Sequence, residues 1–328
     1  IATGERKWHY QIIHHDIWDW DNPSAPILAD LPNGKKVIMQ VTKQSYVYTF
    51  DRENGEPIWP IEELPVPAGD VPGEWYAPTQ PFPTKPAGFD RQGFTEDDLI
   101  DFTPELREKA LLAVADFRLS PSLYSPPSLK DAADGTKGTL SLPSATGGAN
   151  WEGSAIDPET GMLYIPSRTT ISMLSVEKDE SSDVAFSQSY GVRVPRVNGL
   201  PIVKPPYGRI TAIDMNSGDH AWMIANADTP ERIANNPALE GVDLPRTGIE
   251  TKSGILLTKT LLFAGEGVGG GPTLRAHDKM TGEILAEIEL PNAQTGVPMT
   301  YEHNGKQYLV MVVSGGGTAA EIVAYALP

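Results

Sequence analysis

The chain has 328 residues, no cysteine and a formal charge of −17, from 26 basic and 43 acidic side chains. Without cysteine there is no disulfide, thiolate metal site, cysteine nucleophile or Cys-x-x-Cys-His haem attachment, and the negative balance disfavours nucleic acid and anionic lipid as partners. Hydrophobic residues make up 40%, no apolar run approaches the roughly 20 residues of a membrane helix, and 31 glycines with 30 prolines point to many turns and short strands.

The chain opens on ATGERKWHYQ, with Gly4 four residues before Trp8. HHDIWDWD follows, gathering His14, His15, Asp16, Trp18, Asp19, Trp20 and Asp21. Neighbouring side chains on an extended strand point to opposite faces, so His14 and His15 are not expected to share one ion. One is expected packed and the other near a site entrance. Alternation predicts strands over 37–41 and 46–50, with Lys43 in the turn between them, and then an Asp51-x-x-x-Gly55-x-x-x-Trp59 unit. Pro-rich stretches at 65–86 and 120–127 flank the one clear helical pattern. There Thr103 can cap, Pro104 suits the first turn, and Leu106, Ala110, Ala113, Val114 and Phe117 recur on one face. A second short helix is expected to start at Thr95. Residues 60–148 are read as a surface excursion with short helices.

Asn150 and Trp151 precede Asp157 and Gly161, which repeat the first half of the Asp-Gly-Trp unit with Ile165 in the Trp place. The unit is complete at Asp214, Gly218 and Trp222; at Asp278 and Gly282 it has Ala286 instead. Glycine supplies the positive φ of a tight hairpin, aspartate bonds back to turn amides, and tryptophan offers a flat surface to a neighbouring sheet. A repeat of this kind reads as a propeller. Asp157, Asp214 and Asp278 are spaced to suit one four-stranded blade each. The long gap after Asp51 is a blade with an insertion, or two blades with one degenerate. Gly4 and Trp8 match the second half of the unit, so the chain reads as starting inside a repeat. Gly265 to Gly270 contains a formal G-x-G-x-x-G, but a nucleotide site needs a helix next. Pro272-Thr-Leu-Arg-Ala-His leads into another strand instead, so a blade loop is expected. Ser314, before a glycine run, makes no case for a nucleophile.

The repeat A-x-D-x-x-x-G-x-x-x-W is accompanied by four further stretches. They are HHDIWDWDNPSAPILADL from His14, PTQPFPTKP from Pro78, GGANWEGSAIDPETG from Gly147, and PMTYEHNGKQYLVM leading to the closing IVAYALP. Together they resemble the quinoprotein alcohol and glucose dehydrogenases, which use pyrroloquinoline quinone (PQQ), nearest the glucose dehydrogenase branch. The resemblance covers residues 1–328. It implies an all-β, eight-bladed β-propeller held by tryptophan docking, of which this chain supplies the C-terminal half, with the N-terminal half as its missing partner.

For function, the resemblance implies oxidation of an alcohol or aldose sugar by hydride transfer to PQQ. Asp16 matches the general base, close to a Ca2+ beside PQQ. Lys43 matches the cation bonded to the quinone oxygens. Asn150 and Trp151 match a pair that contacts PQQ, one by hydrogen bond and one beside the ring. Trp8, Trp59 and Trp222 match the docking positions, and Trp18 and Trp20 are read as lining the substrate mouth. Lanthanide-using relatives carry an aspartate where Trp18 stands, which favours Ca2+; its other ligands would come from the absent half. Electrons would pass to a quinone or cytochrome c in the periplasm, with membrane association through a missing segment left open. The residues alone leave blander roles: a turn-capping Asp16, a surface Lys43, a core Trp151. A non-catalytic periplasmic scaffold that binds peptides by strand addition, or an inactive fragment, are the alternatives.

Overall fold

A computed structural model describes residues 3–189 and 193–326. Ile1 and Ala2 of the opening repeat, and Leu327 and Pro328 of the closing motif, lie outside the described residues. The first sheet is an antiparallel meander of β1 (Ile27–Asp30), β2 (Lys36–Val41) and β3 (Val47–Asp51). Its central strand alternates, with Val37, Met39 and Val41 buried.

The chain then leaves for a long excursion. It forms the hairpin β4 (Ile61–Pro65) and β5 (Thr79–Pro83), then helix α1 (Pro104–Val114), then three short strands, β6 (Arg118–Leu119), β7 (Ser128–Leu129) and β8 (Thr139–Ser141). The Thr103 hydroxyl accepts the Leu106 amide at 3.1 Å, and Leu106, Ala110 and Val114 face inward. At the Thr95 position a single 3-10 turn covers Glu96–Asp98, with the Thr95 amide donating to Asp98.

The second sheet begins with β9 (Ala155–Ile156) and β10 (Met162–Arg168). A second excursion interrupts it: β11 (Ser172–Lys178), β12 (Phe186–Gln188), β13 (Arg196–Val197) and β14 (Leu200–Pro201). The chain returns as β15 (Gly208–Asp214) and β16 (Asp219–Ala225), giving the order β16-β15-β10-β9. Strand β11 pairs with β8, β7 and β12, and β6 pairs with β8. The two excursions therefore build one unit, around Leu99, Leu106, Leu140, Val197, Leu200 and Tyr207. After the short helix α2 (Glu231–Ala234) comes a third sheet of β17 (Ile255–Leu257), β18 (Leu261–Gly265), β19 (Thr273–Asp278) and β20 (Ile284–Glu289). A fourth holds β21 (Met299–His303), β22 (Lys306–Gly315) and β23 (Thr318–Ala326).

This topology corrects the reading of Asp157 as the mark of its own blade. Its turn joins β9 to β10, whereas the Asp214 turn joins β15 to β16 in the same sheet. An Asp-x-x-x-Gly turn serves any tight connection, and only the tryptophan distinguishes the docking copy. Asp157 instead receives Lys279 Nζ at 2.6 Å, a buried clamp between the second and third sheets.

The sheets pack face to face in chain order, as propeller blades do. Period-2 alternation sends opposite faces of one strand to different neighbours. On β10, Leu163 and Ile165 join the cluster shared with Val37 and Met39 of the first sheet, while Met162 and Tyr164 join Ile255 and Leu262 of the third. Leu274 of the third sheet meets Met311 and Val313 of the fourth. The far face of the fourth sheet is open, with Met299, Tyr301 and Ile322 exposed.

Each docking tryptophan lies over a unit glycine of the following sheet, and Trp59 skips Gly161 to reach Gly218. A β-carbon built on Gly55 would stand 2.5 Å from the Trp8 ring, one on Gly218 3.0 Å from Trp59, and one on Gly282 3.1 Å from Trp222. Trp8 also donates its ring N–H to the Arg52 carbonyl at 3.3 Å. Gly55→Ala is therefore expected to destabilise by about 1–3 kcal/mol through overpacking, with about 1–2 kcal/mol more for its left-handed backbone, at φ +78°. Gly34→Ala has φ +83° with open space around it, so it should show the backbone cost alone. Urea midpoints of the two variants in the full-length protein check this; equal losses would refute a docking role for Trp8.

The glycine-rich loop after β18 leads into β19 and no helix follows. Glu266 folds back into it, accepting the Gly271 amide at 2.7 Å and the Arg275 guanidinium at 2.6 Å. A carboxylate thus occupies the place a phosphate would need.

Candidate active site

Three loops meet at one end of the first two sheets: 12–24, the β2–β3 turn at 42–45, and 144–154 before β9. Their approach depends on two glycines. A β-carbon on Gly147 would collide with Lys43 at 2.5 Å and one on Gly148 with Ser45 at 2.1 Å, and the Gly148 amide donates to the Lys43 carbonyl at 3.0 Å. The structure thereby brings Lys43, the 16–21 loop and the Asn150–Trp151 pair into one neighbourhood.

Asp16 anchors the first loop. Its Oδ1 accepts the Trp18 amide at 2.9 Å and its Oδ2 the Trp20 amide at 2.6 Å. Each oxygen keeps a further lone pair for a proton or ligand. Partial burial, and then the nearby Asp19, raise the carboxyl above its usual value, against the two amides and Lys43, which lower it. Trp18 and Trp20 are stacked 5.5 Å apart, at 4% and 0% exposure, with their N–H groups on the Ser125 and Ser144 carbonyls. They form the floor under the loop with Tyr124, and do not present their rings to solvent.

Lys43 is buried in its turn and reaches back to that loop. Its Nζ donates to the Asp19 carbonyl and to Asp21 Oδ1, both at 2.6 Å. Two of three ammonium protons are committed and one remains. Asn150 is buried and braced within its own loop, giving to the Thr146 carbonyl and accepting the Trp151 amide, each at 2.8 Å. Trp151 is 42% exposed. His14 and His15 sit in a bend and not on an extended strand, with His15 at φ 45°. Their Nε2 atoms meet Glu63 at 3.0 Å and Glu74 at 3.2 Å, beside the β4–β5 hairpin.

Three charges missed in the sequence belong to the same neighbourhood. Glu152 is buried with Oε2 unpartnered, and burial raises its carboxyl despite Arg168 and Lys252 nearby. Burial lowers the Arg168 and Lys252 cations, and Lys252 also feels the positive charges of Arg168 and Lys43. Of the three cations here, Lys43 is paired with Asp21 beside Asp16 and Asp19, whereas Arg168 and Lys252, with Glu152 near them, hold no such pair among the described residues. An anionic planar molecule is what such a place, with an exposed indole beside it, is suited to receive. Only the proximity of Glu152 to Asn150-Trp151 could have flagged it; Arg168 and Lys252 stand alone in the sequence.

The chain is similar to known proteins over most of its length. A family described as "PQQ: Glucose/ethanol/alcohol dehydrogenase, beta-propeller domain" matches residues 1–309. The quinoprotein glucose dehydrogenase of Escherichia coli is 32% identical over 100% of this chain and 43% of its own length. Quinate/shikimate dehydrogenase (quinone) of Acinetobacter baylyi is 29% identical over 99% of this chain and 43% of its own. In fold, the chain is similar to the quinohemoprotein alcohol dehydrogenase of Comamonas testosteroni, with a TM-score of 0.56 at 22% identity, over 95% of this chain and 37% of that one. The chain thus spans less than half the length of the curated relatives it matches.

Proposed function

Because the chain belongs to the PQQ-dependent dehydrogenase β-propeller family, we propose that it forms part of a quinoprotein that oxidises an alcohol or aldose sugar, with Asp16 as general base. The observation that carries this reading is the convergence of Asp16, Lys43 and the Asn150–Trp151 pair on one loop cluster, beside Arg168 and Lys252, two cations with no ion pair among the described residues. When bound, PQQ would supply the quinone that accepts a hydride, and with it two electrons, from the substrate carbon.

The chain's own residues would do the rest. Asp16 takes the substrate hydroxyl proton on one of its oxygens, the carboxylate being held in orientation by the Trp18 amide on Oδ1 and the Trp20 amide on Oδ2. Lys43 directs its remaining ammonium proton and its charge at the cofactor's quinone oxygens. Arg168 and Lys252 offset the cofactor's negative groups, and the exposed Trp151 ring offers a face to a flat ring system. The residues present therefore fit PQQ. Calcium is a different case. It takes 6–8 oxygen ligands, and among the described residues no cluster of three or more candidate ligands forms. Asp16 can contribute to a calcium site, but the described residues do not complete one. A periplasmic location and transfer of electrons to a quinone or cytochrome c complete the proposal.

The test uses the full-length protein. Lys43→Ala is expected to weaken PQQ binding roughly tenfold to a hundredfold, the loss of one charge-assisted hydrogen bond. Titration of PQQ against tryptophan emission measures it, beside glucose- and ethanol-dependent dye reduction. Unchanged affinity removes Lys43 from the site, and absence of PQQ binding in the parent protein leaves the non-catalytic scaffold as the better reading.

A further inference from the structure

Glu152 stands at the candidate site but has no part in the reaction proposed above. It directly follows the Asn150–Trp151 pair, is only 5% exposed, and its Oε2 has no hydrogen-bond partner among the described residues. The cations whose charge it feels are Arg168 and Lys252, and neither reaches it as an ion pair among the described residues. Arg168 is tied to the same loop. Its backbone amide donates to the Gly148 carbonyl at 2.9 Å, and its Nη2 to the Thr146 carbonyl at 3.2 Å. That Thr146 oxygen also receives Asn150 Nδ2, at 2.8 Å, so one carbonyl holds both the guanidinium and the amide assigned to the cofactor. Lys252 comes from the segment before β17 and feels Arg168, Glu152 and Lys43.

A buried carboxylate without a close partner is costly. Burial accordingly raises the Glu152 carboxyl, and the more distant charges of Arg168 and Lys252 undo this only in part. An anion bound at the two cations would draw on the same positive charge and repel the carboxylate, which favours its protonated form. Proton uptake and anion binding then strengthen each other, equally in both directions. Resting on the reading of this site as a PQQ site, we propose that Glu152 is a positioning residue that couples binding of the anionic cofactor to uptake of one proton. On the acid side of the raised carboxyl range Glu152 is neutral with or without cofactor, and affinity is highest. As pH rises through that range the carboxylate forms and affinity falls.

Titration of PQQ against the tryptophan emission of the full-length protein, from about pH 5 to about pH 8, tests it. Glu152→Gln keeps the shape of the side chain and is always neutral. It is expected to bind roughly tenfold more tightly than the parent at the upper end, and to lose the part of the pH dependence that the parent owes to this carboxyl. Groups common to both proteins, Asp16 among them, cancel in the comparison. Glu152→Asp keeps a carboxyl and should keep the pH dependence. Calorimetry in two buffers of different ionisation enthalpy counts the proton, taken up by the parent and not by Glu152→Gln. Weaker binding in Glu152→Gln would make the carboxylate a brace for Arg168 and Lys252 and overturn the proposal. The same pH dependence in parent and variant would overturn it too, by assigning the proton to another group. Both outcomes leave PQQ binding intact, whereas a parent that binds no PQQ at any pH fells the quinoprotein reading and this coupling with it.

Discussion

Asp16→Asn is expected to lower kcat of the full-length, PQQ-loaded protein by about 10²- to 10⁴-fold, the usual contribution of a positioned general base. The substitution removes the basic oxygen and also sets an amide N–H against the N–H of Trp18 or Trp20. Some loosening of the loop is therefore expected too, on the order of 1 kcal/mol for one hydrogen bond. The buried Trp18–Trp20 stack reports on that loosening through its emission, which separates lost chemistry from lost structure. The pH profile provides a second reading. The base works ionised, and burial raises its carboxyl, so rate is lost on acidification starting at a higher pH than an ordinary aspartate would give. Lys43 pulls in the opposite direction; Lys43→Ala should move the acid limb of kcat further up in pH. A kcat within tenfold of the parent in Asp16→Asn, with unchanged emission, would show that another group takes the proton.

The second large effect is structural. Asp90 is buried in the first excursion, its Oδ1 accepting from Thr169 and its Oδ2 from Ser167, both at 2.7 Å. Arg209 Nε on β15 lies 3.3 Å from Oδ2, near enough to balance its charge, and Nη2 donates to Thr169 at 2.7 Å. This cluster pins the excursion to the second sheet. Asp90→Ala leaves the Arg209 cation buried and unopposed, and is expected to cost about 3–5 kcal/mol. Asp90→Ala combined with Arg209→Met removes both charges and should recover most of the loss, since a buried pair replaced by apolar groups is often close to neutral. Chemical denaturation of the two variants in the full-length protein decides it. If the double variant is no more stable than the single one, the cost arises from the lost hydroxyl partners and not from the stranded charge.

Local signals were legible in the sequence, and distant pairings were not. The cap at Thr103 and the face of α1 depend on residues within one or two turns. The tryptophan docking depends on one short spacing, repeated. Asp157 misled because its turn is locally the same as that of Asp214; what differs is the strand that follows and its partner. The second excursion could not be foreseen because β11 finds β8 and β7 across a long stretch of chain, with no periodicity shared between them. At the candidate site, Asp16, Lys43, Asn150 and Trp151 were found through the family resemblance and not from spacing. Arg168, Lys252 and Glu152 carry no pattern of their own and become visible only when β10, the segment before β17 and the Asn150 loop lie side by side. Trp18 and Trp20 were read as lining a mouth; both are buried, Trp20 wholly so, while Trp18 still borders a cavity beside Ile17 and Asp19.

The stacking of the sheets has a thermodynamic consequence. Three apolar clusters each join a sheet to its immediate neighbour, so the energy of the array is close to a sum of nearest-neighbour terms, as in a repeat protein. Four sheets in a row share three such interfaces, and the two ends each lack one. In a row, the outermost sheet can detach by breaking a single interface, and the open face of β21–β23, with Ile322 75% exposed, is where that costs least. Joining the ends into a ring adds an interface without adding a sheet. Every sheet then has two neighbours, none can peel away first, and a structure that would fray sheet by sheet becomes one that unfolds as a whole.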